Sequence, residues 1–162
     1  MTVLGLPLHS LVLHATVVLV PLTVLLALGF ALLPRWRWLT RWPAAVASVV
    51  CVGLGFLTTT SGEALVHARP YLAALVATHR MFGTWLSWVL VPFAVVTLVA
   101  AWALPGSTML ASGRGAQRSR LPGTDALLAT LVVVAAVAVL TLVVLTGHSG
   151  AEAVWGQTAA TH

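Results

Sequence analysis

The stretch ALLATLVVVAAVAVLTLVVLTGHSGAE, residues 126–152, decides how this chain is read. From Ala126 to Gly147 it carries no charge, and it reaches the roughly 20 residues that a helix needs to cross a hydrocarbon core about 30 Å thick. It then meets His148, with Glu152 four positions later. Working outward, three more runs approach or reach the same length: Leu11 to Leu33, Ala44 to Ser61 and Phe82 to Leu104. Lipid offers no partner to an open strand edge, so each run must be helical. The whole chain of 162 residues is 60% apolar and 7% charged, with a mean hydropathy of +1.04. These values lie outside the range of soluble domains. The expectation is an all-α integral membrane four-helix bundle, a single membrane domain over residues 1–162, with the lipid bilayer as its first partner.

All eight basic residues are arginine. Arg35, Arg37 and Arg41 fall between the first two runs and Arg114, Arg118 and Arg120 between the last two; only Arg69 and Arg80 lie in the middle connection. Short arginine-rich loops stay on the cytoplasmic side. A multi-pass protein of the cell membrane with both termini extracytoplasmic is therefore expected. On such a chain the basic excess bears on orientation and lipid contact, and no nucleic-acid partner is called for. The first run lacks a preceding basic residue and is long for a signal sequence, so it reads as a retained helix. The single cysteine, Cys51, excludes a disulfide framework and reads as a small buried residue. Trp36, Trp38 and Trp42 suit an aromatic interface belt.

The chain also repeats itself. Leu19-Val20-Pro21 runs to Pro34, and Leu90-Val91-Pro92 runs to Pro105 at the same spacing. Each such span is followed by an arginine-bearing loop and a span ending in Ser-Gly with an acid close behind, Ser61-Gly62-Glu63 and Ser149-Gly150-Ala151-Glu152. This reads as a duplicated helical hairpin whose halves share one orientation about an axis along the membrane normal.

The topology places His9, His14, His67, His79, His148 and His162 at one end of the bundle. Ionisable groups at membrane depth are costly and mark functional sites, so His14 and His148, the deepest, lead the candidates. Thr130, Thr141 and His148 fall on one helical stripe, as do Gly55, Thr59 and Glu63, and these polar stripes are expected to face inward. His79 and Gly83 share a face where a missing side chain leaves room. His67 stands four residues after Glu63 and can pair with it. Glu152 can orient His148 in the same way.

Three uses of this histidine-lined site compete. Two histidines from different helices can ligate a haem iron, with Gly83 and Gly62 making space and Arg69 or Arg80 meeting the propionates. Three or four imidazoles, with Glu63, can hold zinc or copper. The same groups can also serve as a metal-free structural or proton-handling site. Haem b for electron transfer organises the residues best, with His9, His14, His79 and His148 as candidate ligands. It brings a redox partner protein or a quinone as company, and it is compatible with a homo-oligomer. A hydrolase is disfavoured, because no serine, histidine and acid come together on a nucleophile-bearing turn.

Leu6-Pro7-Leu8-His9-Ser10-Leu11-Val12-Leu13-His14-Ala15-Thr16, Ser61-Gly62-Glu63, Thr78-His79-Arg80 and Gly147-His148-Ser149-Gly150 together resemble the bacterial four-span family called domain of unknown function 2231. In the family pattern a proline stands where this chain has Ser10, and Phe-Pro where it has Ala15-Thr16. The resemblance implies a four-helix membrane fold, weight on His9, His14, His79 and His148, and redox company, since some members are joined to Rieske-type iron-sulfur domains.

Overall fold

A computed structural model describes the backbone of residues 2–3, 6–106 and 116–159, and the side chains of residue 9 and of residues 11–106 and 116–155. A two-residue antiparallel pair, Thr2–Val3 with Leu6–Pro7, precedes the first helix. The helices are α1, Leu8–Leu32; α2, Arg37–Ala68; the short α3, Leu72–Leu75; α4, Ala77–Ala103; and α5, Asp125–Ala159. Pro21 and Pro92 lie inside α1 and α4, which run on through them.

Four of these helices are long and apolar enough to cross a membrane, so the expected all-α membrane architecture holds. Their outer faces carry bare hydrocarbon: Val18, Leu25, Val46, Trp88, Val134 and Val144 are all exposed. A contiguous apolar surface of this kind belongs against lipid. Two helices outrun the apolar windows. Helix α2 begins at Arg37 and passes through Pro43, and α5 continues through Gly147 and Gly150. At 1.5 Å per residue, the 35 residues of α5 span about 52 Å. Glycine does not end this helix, because continuing it satisfies the backbone inside the bundle.

Extensive contacts join α1 to α2, α2 to α4, α4 to α5, and α5 back to α1. The bundle is thus a square in chain order, with α1 diagonal to α4 and α2 diagonal to α5. Its core is built from small residues, including Ala27, Ala44, Ala100 and Ala136, around Phe30 and Phe93. Small side chains let helix backbones approach closely where no hydrophobic effect drives them together.

The arginine-rich end is closed by two residues of the expected loop between the first two spans, which are helical instead. Arg37 and Arg41 are buried in the first turns of α2. Arg37 donates to the carbonyls of Phe30, Ala31 and Pro105 at 3.1 Å each. Arg41 donates to the Leu104 carbonyl at 2.7 Å and to the Gln117 side chain. The last carbonyls of a helix lack intrahelical donors, and α1 and α4 have no basic residue in their own last turns. One helix start therefore caps two helix ends. Asp125 opens α5, where its carboxylate suits the helix dipole, and accepts a bond from the Ser119 hydroxyl at 2.7 Å. Arg114 and His162 lie outside the described residues.

Candidate ligand cavity at the histidine end

Opposite the arginine end, all four long helices and α3 line a partly open cavity of about 570 Å³. Most of its wall is hydrocarbon, with Leu13, Val17, Leu72, Leu75 and Val143 among the lining residues. Polar groups take up little of its surface, and the two histidines among them, His9 and His79, sit in matching sets of surroundings.

In the first set, His9 from α1 donates through Nδ1 to the Thr58 carbonyl of α2 at 3.1 Å, with the Ser61 hydroxyl at 3.3 Å. The Ser61 hydroxyl also donates to that carbonyl, at 3.0 Å. The ring lies against Gly62, where an added Cβ would meet its Cε1 at 3.1 Å. In the second set, His79 from α4 donates through Nδ1 to the Thr146 carbonyl of α5 at 2.9 Å. The Ser149 hydroxyl donates to the same carbonyl at 3.1 Å. This ring lies against Gly150, where an added Cβ would meet Nδ1 at 3.0 Å. Each hairpin thus builds the same device, a histidine seated on the Thr-x-x-Ser-Gly turn of its own second helix.

A carbonyl can only accept, so Nδ1 carries the proton in both rings and the neutral imidazole keeps its lone pair on Nε2. Burial pushes the His9 imidazole below its ordinary value; the nearby His79 acts in the same direction and the bond to Thr58 opposes it. His9 precedes the apolar span that starts at Leu11. It is therefore held neutral, as a ligand or acceptor must be.

Between the two sets stands an ion pair. Arg80 donates through Nε to Glu63 Oε1 at 3.0 Å and through Nη2 to Oε2 at 2.5 Å, in a bidentate geometry. Both side chains line the cavity. The expected partnership of Glu63 with His67 does not form; His67 is exposed.

The structure brings together His9, His79, Glu63, Arg80, Gly62 and Gly83 and the stripe Gly55, Thr59, Glu63. It leaves out His14, His148 and Arg69, which are exposed and do not line the cavity. On α1 the inward stripe runs through His9, Thr16, Val20 and Ala27, and His14 falls outside it. On α5 it runs through Val132, Ala136, Val139, Thr146 and Gly150. The stripe Thr130, Thr141, His148 is the outer one, all three residues being exposed. Thr141 satisfies its hydroxyl on the Val137 carbonyl of its own helix at 2.9 Å, so it needs no interior partner. His148 pairs with Glu152 at 3.3 Å on that same outer face.

Thr58, Thr146 and Thr16, whose hydroxyl lies 2.9 Å from that of Thr58, were missed by sequence reasoning. The signal was present, for the residue three before each Ser-Gly is threonine in both halves. No group of three or more His, Cys, Asp or Glu side chains able to hold a metal ion occurs among the described residues. Searches of protein-family models, curated proteins and solved structures give no match to this chain.

Proposed function

We propose that this is a multi-pass protein of the cell membrane, with both termini extracytoplasmic, whose cavity binds haem b between His9 and His79 for electron transfer with a partner protein or a quinone. The observation that carries this reading is the matched pair of imidazoles, each fixed in one tautomer by a backbone carbonyl. Metal-bound histidines characteristically donate their other ring N–H in this way. The two rings come from diagonally opposed helices, while Gly55, Gly62, Gly147 and Gly150 line the cavity from the other two. A flat macrocycle needs donors on two opposed sides and room at its edges, and these residues fit that demand. The cavity volume lies within the ~300–1,000 Å³ range of small-molecule sites.

His9 and His79 would hold the iron, and the apolar wall would exclude water from it. Bound there, haem supplies a one-electron carrier. Zinc or copper is less well served, since a closed zinc site needs four ligands and the described residues assemble no group of three. The resemblance noted above puts weight on His14 and His148 as much as on His9 and His79. The arginine-rich end, with Arg35, Arg37, Arg41, Arg118 and Arg120, supports the stated orientation.

The test is a visible spectrum of the purified protein, oxidised and then reduced. A Soret band with sharp α and β bands on reduction is expected in the wild type, His14→Gln and His148→Gln, and is expected to be lost in His9→Gln and His79→Gln. A colourless preparation from haem-replete cells would overturn the reading. So would an unchanged spectrum in both of the latter variants.

A further inference from the structure

The two half-sites match in the histidine, the threonine carbonyl, the serine hydroxyl and the glycine, and they differ at the next position along each chain segment. After Ser61-Gly62 comes Glu63, whereas after Ser149-Gly150 comes Ala151. After His79 comes Arg80, whereas after His9 comes Ser10. Both departures fall on the same pair of adjacent helices, α2 and α4, where they meet as the Glu63–Arg80 ion pair. Among the described residues, α1 and α5 contribute no Asp, Glu or Arg to the lining. A cavity that is nearly symmetric in its bases is therefore one-sided in its charge.

From this we infer that the cavity takes its flat apolar ligand in one orientation, with a carboxylate-bearing edge against Arg80. The inference deepens the haem reading and rests on it for the shape of the ligand. Glu63 engages the Nε and Nη2 edge of Arg80, and Nη1 lies outside that pair. A ligand carboxylate reaching Arg80 gains a charge-assisted bond, and Glu63, of like charge, opposes it. Glu63 thereby sets how strongly an anionic edge is held, and Arg80 sets where it goes. An uncharged edge gains no ion pair on this side of the cavity.

The test uses iron-free probes, so that axial ligation does not enter. Metal-free protoporphyrin IX and its dimethyl ester are titrated by fluorescence into the full chain in lipid nanodiscs. The diacid is expected to bind roughly threefold more tightly than the diester, the worth of one ion pair to a part-exposed arginine after solvent screening. Glu63→Gln is expected to strengthen diacid binding several-fold and leave the diester unchanged. In the double variant Glu63→Gln/Arg80→Gln, which leaves no unpaired charge, the two probes are expected to bind alike. Equal affinities in the wild type, a preference that survives in the double variant, or failure of both probes to bind saturably would each overturn the inference. Iron protoporphyrin spectra separate this outcome from the haem reading. A diacid preference without a bis-histidine spectrum retains the orientation and removes haem, and the spectrum without the preference does the reverse.

Discussion

Adding one methyl group at Gly150 and, separately, at Gly147 tests the seat of His79 most directly. The two positions share a helix, a turn and a cavity wall. At Gly150 an added Cβ would stand 3.0 Å from His79 Nδ1 and 3.2 Å from Cε1, whereas at Gly147 nothing lies within 4 Å. Carbon contacts are optimal at about 3.5–4.0 Å, so in Gly150→Ala the ring must move, and with it the 2.9 Å bond to the Thr146 carbonyl. Any gain in helix propensity, up to about 1 kcal/mol, is common to both variants and cancels in their difference. What is left is the cost of displacing the ring by a few tenths of an ångström, about 1 kcal/mol, the lower end of the overpacking range. Denaturant titration of both variants in one detergent should place Gly150→Ala below Gly147→Ala by that amount. The His79 Nδ1–H resonance should shift only in Gly150→Ala. Equal stabilities within about 0.5 kcal/mol, or an unmoved resonance, would refute the seating of the ring on the glycine.

His9 gives a pH dependence with a definite sign. Its folded-state pKa is lowered, first by burial, from the ordinary 6.5. Below 6.5 the unfolded chain therefore takes up a proton that the folded chain refuses. This contribution to stability is fully present above pH 6.5 and is lost as the pH falls toward the folded value. In haem-free protein, His9→Gln should flatten the pH dependence of the unfolding midpoint below the ordinary 6.5, and an unchanged slope would contradict the burial. At the other end, Arg37→Gln removes a charged donor from three helix-terminal carbonyls. It should cost on the order of 3 kcal/mol in the same titration, and a loss under 1 would show that water replaces the cap. The Thr97 hydroxyl is fully buried without a partner, so Thr97→Val should stabilise the bundle by about 1 kcal/mol.

The four apolar helices, the fold class and the end of the bundle carrying the histidines were legible because they depend on run length and on the order of the runs along the chain. The helical face of each histidine was not. His14 sits inside the first apolar run and His148 directly at the end of the last, yet both are exposed, so position along a span does not give burial. In a lipid-facing helix depth and burial are separate, since a threonine such as Thr141 can return its hydroxyl to its own backbone and face hydrocarbon. Polar stripes thus lose the meaning they have in water. The reliable marker was the small-residue face: Gly55 and Gly62 on α2 and Gly150 on α5 pointed inward. The Glu63–Arg80 pair joins residues 17 positions apart across α3, and no local spacing rule reaches that far. The caps made by Arg37 and Arg41 were hidden for a similar reason, since they serve the ends of other helices.

Among the described residues, the His9 ring hydrogen-bonds to α2 and the His79 ring to α5. Each half-site is therefore complete within its own hairpin. During synthesis, the first pair of helices can enter the bilayer with its imidazole already locked in the right tautomer before the second pair has been made. Among the described residues, bringing the halves together then adds no hydrogen bond to either ring. It only sets two finished half-sites across from each other, so the chamber comes into being at the last step of assembly.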